Sequence, residues 1–340
     1  EQVYNDRKKG YDFIHRDCFE VLAVPYEIPV VGYRNGIVNT MLLWDARAVT
    51  SDDQDYNTVM EQRRLAESCR HFLYPDDSTD EGKELRLRQE YFFVSASIQN
   101  AVANYKKDSA DITKLPEKAV FQLKDTHPAT AVAELMRVLM DEEGLGWDEA
   151  WAVTTKCLAM TNHTVLTEAL ERWPAHIFTR LLPRIYQIIV EIDRRFIADI
   201  NMMFPGDFDR ADRMRIIHNN EVRMANLCLV ASFSVNGVAE LHTTILKTRL
   251  FRDFYEIMPD KFNNKTNGVT HRRFLLKGNK PLAGWITGYI GPFWITDFSR
   301  IKGMAVYADN EKVLKEFMRI KHSNKIRLAK YILDKNGLEI

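Results

Sequence analysis

The apolar positions of this chain change period several times, and each change marks an element. Over the first fifty residues, "VLAVPYEIPVVGY" and "GIVNTMLLW" are β-branched and broken by Pro and Gly, which predicts strands and turns. Residues 55–72, "DYNTVMEQRRLAESCRHF", carry charged and apolar positions at helical spacing and predict a long, polar helix. "LYPDDSTDEGKE" is rich in Asp, Ser, Pro and Gly and predicts a loop. "ELRLRQEYFFVSASIQNAVANYKK" returns to a helix with a strongly apolar middle.

The most regular unit follows. "AVFQL", residues 119–123, predicts a short buried strand, and "KDTHP" a loop. Pro128 suits a first helical position, Val132, Leu135, Val138 and Leu139 share one helical face, and Gly144 ends it. Strand, loop and helix in this order are the unit of a doubly wound α/β sheet. Ligands of such sheets bind outside the carboxyl ends of the strands, so Lys124, Asp125, Thr126 and His127 stand where a ligand would be met.

A second helix is predicted from about Asp148 to Met160, followed by "TNHTVLTEALERWP". Pro174 starts a long apolar helix that Pro183 must kink or break. Asn236–Gly237 reads as a tight turn before another helix, and "KFNNKTNGV" as a strand entering a polar turn. From Asn310 onward the pattern is helical and charged.

Composition narrows the function without naming it. The 340 residues are 46% hydrophobic, enough for a large core and long for one compact domain. Lys plus Arg equals Asp plus Glu at 47 each, so nothing points to nucleic acid or an anionic membrane, and a neutral ligand such as a sugar is compatible. Cys18, Cys69, Cys157 and Cys228 lie far apart without a CxxC pair, so the zinc signature is missing, no metal is expected, and reduced thiols in a cytosolic protein are. No apolar run approaches the roughly 20 residues of a membrane span, and no signal peptide is visible. The chain starts on Glu and ends just after an amphipathic helix, so both ends read as cuts.

Candidate chemistry has to be weighed against structural duty. His163, between Asn162 and Thr164, is by base rate a core histidine, but its neighbours are neutral donors and acceptors of the kind sugar hydroxyls need. Asp125 and Thr126 are equally good helix caps, a reading that is weaker for His127. Asp76 and Asp77 can be turn residues only. Asp77, Asp125 and Glu168 can be nominated as candidates for the two carboxylates of a glycosidase, but their separations are not legible. No GxGxxG, Walker, GxSxG or HExxH motif is present.

"QLKDTHPATAVAELMRVLMDEEGLGWDEAW", "TNHTVLTEALERWP", "SVNGVAELH" and "KFNNKTNGVTHRRF", in this order and with "VPYEIPVVGYRNGIVNTMLLW" and "LYPDDSTDEGKELRLRQEYF" before them, resemble the glycogen phosphorylases, the α-1,4-glucan phosphorylase family. The resemblance spans nearly the whole chain. It implies an α/β fold, part of a two-domain, Rossmann-like (GT-B type) glycosyltransferase. Residues 1–236 would be the later part of the N-terminal glucan-binding domain, and 237–340 the hinge and incomplete start of the C-terminal cofactor domain.

The implied activity is phosphorolysis: orthophosphate attacks the terminal glucose of an α-1,4-glucan and releases glucose 1-phosphate. The implied cofactor is pyridoxal 5'-phosphate, on a lysine outside this chain. By the same resemblance His163 contacts the glucose 6-hydroxyl and sets its carbonyl near the anomeric carbon, and Asn236 shares that hydroxyl. Asp77 belongs to the gating loop, Asp125, His127 and Asn162 line the sugar pocket, and residues 55–72 pack across a homodimer. Ser78 and Thr79 stand where other members have Asn–Phe, and Lys124 where Asn is usual. A non-catalytic carbohydrate-binding or regulatory piece is the alternative.

Overall fold

The computed structural model describes residues 2–5, 10–14, 16 and 18–340, with side chains at 13, 14, 16 and 18–340. In chain order the elements are β1 (Gln2–Asn5), β2 (Gly10–Phe13), β3 (Val21–Val31), β4 (Val38–Ala48), α1 (Tyr56–Ser68), α2 (Asp80–Asp108), β5 (Phe121–Lys124), α3 (Ala131–Arg137), α4 (Trp147–Cys157) and β6 (Leu158–Thr161). Then come β7 (Arg172–Pro174), α5 (Ala175–Leu181), α6 (Pro183–Met203), α7 (Phe208–Met214), β8 (Ile217–His218), β9 (Glu221–Arg223), α8 (Met224–Ala231), β10 (Ser234–Gly237), α9 (Glu240–Ile245), α10 (Arg252–Ile257), β11 (Phe262–Asn264), α11 (Lys280–Ile290) and α12 (Glu311–Asn336).

The chain divides into two compact units, 1–28 with 41–266, and 29–40 with 267–340. The first holds a four-stranded sheet in the order β11-β10-β6-β5, every pair parallel. It is therefore α/β, as expected. Parallel strands need helical crossovers that cover the sheet. Leu123, Leu158, Met160 and Val235 are buried with Val132, Leu135 and Leu139 of the α3 segment and Ile185, Ile188 and Ile192 of α6. Side chains on a period of 3–4 bring one stripe of each helix onto strands whose apolar positions alternate or run on.

Several expectations shift. α2 begins at Asp80, inside the stretch that reads as loop, because Thr79 Oγ1 accepts the Gly82 N–H at 3.2 Å and caps it. Gly82 is required there: a Cβ would lie 1.9 Å from the Asp76 carbonyl. Pro128 is not a first helical residue, since α3 starts at Ala131 after a run of turns. The helix expected to reach Met160 stops at Cys157, and Leu158–Thr161 pairs with β5 as the second strand. Asn236–Gly237 is no turn but the end of β10. A short, fully apolar strand and a buried helix end look alike in sequence, and pairing decides between them.

Others stand. Pro183 ends α5 and opens α6 at its first position. The helices read over 55–72 and from Asn310 onward are present as α1 and α12, with Asp55 and Asn310 as their caps. Gly144, at a φ of 76°, ends the helical segment after α3. Cys69, Cys157 and Cys228 are buried free thiols, and Cys18 is exposed.

The second unit is built on Ala283, Ile286 and a fully buried Trp294. Trp285 Nε1 and Tyr289 Oη both donate to Glu316 Oε2, at 3.0 and 2.7 Å, tying α11 to α12. Among the described residues no helix is long and apolar enough to cross a membrane.

Candidate functional site

The carboxyl ends of β5, β6 and β10 lie side by side, and most of the nominated residues follow them. Parallel register makes this automatic: the strands run the same way, so the residues after each one collect at one edge. Asp125 follows β5 in the left-handed region, at a φ of 66°. Its N–H donates to the Thr161 carbonyl at 2.8 Å, and its Oδ1 accepts the Thr126 N–H at 2.8 Å. The carboxylate is thus held against its own backbone, which makes the unusual φ tolerable for Asp.

After β6, Asn162 is fully buried. Its N–H donates to the Asn236 carbonyl at 3.0 Å and its Oδ1 accepts the Thr164 N–H at 3.1 Å. This turn closes around His163, whose ring is exposed. Asn162 Nδ2 is buried with no hydrogen-bond partner among the described residues, an uncommon condition in a core. Asn236, also buried, accepts from Thr161 Oγ1 at 2.9 Å and donates from Nδ2 to the Gly237 carbonyl at 2.9 Å. Gln122 Nε2 donates to the same Thr161 hydroxyl at 2.9 Å, so side chains of three neighbouring strands form one chain of hydrogen bonds. Asn236 therefore ties β10 to β6 through its amide oxygen, while Nδ2 bonds the next carbonyl of its own strand.

Asp77 and His127 are drawn into a second group, centred on Arg86 of α2. Arg86 donates to Asp77 Oδ2 at 2.7 Å, Glu171 Oε1 at 2.5 Å and Glu90 Oε1 at 3.3 Å. Its guanidinium lies 5.7 Å from the ring centroids of both Tyr74 and Trp173. Thr126 Oγ1 donates to Glu171 Oε2 at 2.7 Å, and His127 Nε2 stands 3.8 Å from Glu171 Oε1. The His127 ring meets Tyr74 edge-on, with centroids 5.6 Å apart. A cleft of about 510 Å³ opens here, lined by Asp77, Lys83, Arg86, Glu168, Glu171 and Trp173 among others.

One guanidinium faces three carboxyl groups, and two of these, on Glu90 and Glu171, are close to fully buried. Burial, reinforced by the neighbouring Glu171 charge, pushes Glu90 up to about 10. Glu90 therefore keeps its proton at neutral pH, which relieves the excess of negative charge. Glu90 Oε2 and Trp173 Nε1 are buried without hydrogen-bond partners among the described residues.

The two groups join where the Asp125 N–H meets the Thr161 carbonyl. Arg86, Glu90, Glu171, Thr161 and Gln122 escaped the sequence reading. Arg86 and Glu90 form an ordinary i,i+4 pair on paper, and only burial distinguishes them. Glu171 gives no local signal. Together these residues offer neutral donors and acceptors, one exposed imidazole and a carboxylate beside a cleft, which suits a polyhydroxyl ligand.

The model of the carbohydrate phosphorylase family matches residues 1–340. The chain is 44% identical over 340 residues to the glycogen phosphorylase of Bacillus subtilis, covering 100% of this chain and 42% of that protein. It is 46% identical over 333 residues to the muscle form of glycogen phosphorylase of Oryctolagus cuniculus, covering 93% of this chain and 40% of that protein. The chain thus spans about two fifths of the length of these curated relatives. With its parallel α/β sheet and a match along every residue, this chain belongs to the carbohydrate phosphorylase family.

Proposed function

We propose that this chain forms the glucan-facing part of an α-glucan phosphorylase, which releases glucose 1-phosphate from an α-1,4-glucan and orthophosphate. The observation that carries the reading is His163: an exposed imidazole between a buried, hydrogen-bonded asparagine and a threonine, at the carboxyl end of a central parallel strand. In this reading the His163 side chain bonds the 6-hydroxyl of the terminal glucose. Its main-chain carbonyl favours positive charge developing at the anomeric carbon. Asn162 shapes the turn that presents His163, and Asn236 fixes that turn to the sheet. Asp125 orients its loop, and Asp77 and His127 border the cleft through Arg86 and Glu171.

Residues 1–236 then belong to the glucan-binding domain and 237–340 to the hinge and start of the cofactor domain. Pyridoxal 5'-phosphate, when bound, supplies a phosphate that gives and takes a proton beside the substrate phosphate. Lys261, whose amine burial pulls down to about 8, donates to the Leu229 and Val230 carbonyls at 3.1 and 3.0 Å and presents no free amine. In this reading, by the family resemblance, the cofactor lysine lies outside this chain, and no step here runs through it. A cytoplasmic homodimer through residues 55–72 completes the reading.

The test is His163→Ala in the complete enzyme, assayed on a glucan and on its terminal 6-deoxy analogue. The expected cost on the normal substrate is about 0.5–1.5 kcal/mol in kcat/KM, the range of one neutral hydrogen bond. Little further loss is expected on the deoxy substrate. Equal losses on both, with a lowered Tm, would make His163 structural.

A further inference from the structure

We propose that His242 is a positioning residue, which ties the His163 loop to the end of β10 through a ring fixed with its proton on Nε2. The proposal rests on the reading of His163 given above.

Val238, directly after β10, donates its backbone N–H to His242 Nδ1 at 3.0 Å. A backbone amide only donates, so Nδ1 must present its lone pair. In the neutral ring the proton then sits on Nε2, which lies 3.4 Å from the Thr164 carbonyl, a long but correctly paired contact. The tautomer is thus set by the backbone on one side and used on the other.

The consequence is a loop held on both flanks of His163. Before it, Asn162 Oδ1 binds the Thr164 N–H, and the Asn162 N–H is fixed to the Asn236 carbonyl. After it, the Thr164 carbonyl faces the His242 N–H. His163 itself has an exposed ring, so its main chain takes its position from these neighbours.

The fit at β10 is tight. A Cβ on Gly237 would lie 2.4 Å from Thr243 Oγ1 and 2.9 Å from His242 Nδ1. Only glycine lets α9 close onto the strand end so that His242 reaches both partners. His242 therefore acts on the sugar through His163 and does not touch it.

Two measurements test this. Nitrogen NMR of the histidine-labelled chain should find His242 with an unprotonated Nδ1 and a protonated Nε2, and a protonated Nδ1 would overturn the proposal. In the complete enzyme, His242→Phe removes both contacts and should lower kcat on the order of ten- to a hundredfold, as misplacement of a reacting group does, with little change in glucan KM. His242→Gln keeps an N–H donor near the Nε2 position and should recover most of that loss. Unchanged kcat in His242→Phe, or equal loss in both variants together with an equal fall in Tm, would overturn the proposal. A wild-type enzyme forming no glucose 1-phosphate would sink the phosphorolysis reading, while the ring's tautomer would still decide the bridge.

Discussion

Glu90 shows how much a single residue can owe to its surroundings. In sequence it is the second member of an Arg86–Glu90 pair on a helix, the kind that usually faces water. In the structure burial and Glu171 raise its carboxyl from 4.5 to about 10. A carboxyl with a higher pKa in the folded state binds its proton more tightly there than in the unfolded chain. Its contribution is complete below the unfolded value of 4.5 and is lost as pH rises toward about 10. Glu90→Gln copies the protonated form and escapes this loss. Thermal melts should therefore show the variant gaining on the wild type as pH is raised from 5 to 9, by about 2 °C or more at the upper end. The two curves should meet near pH 4. A constant offset between them would mean that Glu90 is ionised in the native state. His163 lies at the other extreme: it is exposed, and its effect is sought in substrate discrimination.

At the scale of elements, local signals and packing divide the work. The start of α2 is a local matter: Thr79 caps it and Gly82 lets the Asp76 carbonyl approach. Thr79→Ala should cost about 0.5–2 kcal/mol by urea unfolding, the usual value of a cap. It should also loosen the Asp76–Thr79 segment that carries Asp77, visible as faster amide exchange there. α3 is a packing matter. Leu135 is fully buried against the sheet, so Leu135→Ala should cost about 2–5 kcal/mol. A cost below 1 kcal/mol would show that the site collapses around the gap.

α1 combines both. Asp55 caps it, and Gln89 Nε2 of α2 donates to the Ser68 and His71 carbonyls at its far end, at 2.8 and 2.9 Å. Val59 and Leu65 are half-buried within the chain itself, whereas Tyr56 and Met60, one turn apart, are 75% and 42% exposed. If this helix forms the dimer contact, those two are the side chains to test. Tyr56→Asp with Met60→Asp should turn the complete enzyme into a monomer by sedimentation, and an unchanged dimer would remove α1 from the interface.

For the whole molecule, the chain spans about two fifths of the length of its curated relatives. The 340 residues alone should yield no glucose 1-phosphate from glucan and orthophosphate if, as proposed, the cofactor lysine and the basic phosphate clamp belong to the rest of the enzyme. Detecting that product from the purified chain would count against the division of labour proposed here. Binding of a maltooligosaccharide by the same chain is a separate matter and would leave the glucan-facing assignment in place.

The sequence by itself determined the class of fold and the order of most elements. Strand–loop–helix order, the break at Pro183, the stop at Gly144 and the caps at Asp55 and Asn310 are local events, written in neighbouring residues. The motifs around His163 and Asn236 likewise carried the family resemblance that the match over all residues bears out. Tertiary structure alone decided that Leu158–Thr161 and Ser234–Gly237 are strands, since a run of four residues acquires a type only from the partner it pairs with. It alone gathered Arg86, Glu90, Thr126 and Glu171 from distant positions and withdrew them from water, turning an ordinary surface pair into a proton-holding cluster. Hydrogen bonds between residues 45 or 85 apart, and the loss of solvent that strengthens them, have no signature in a local pattern.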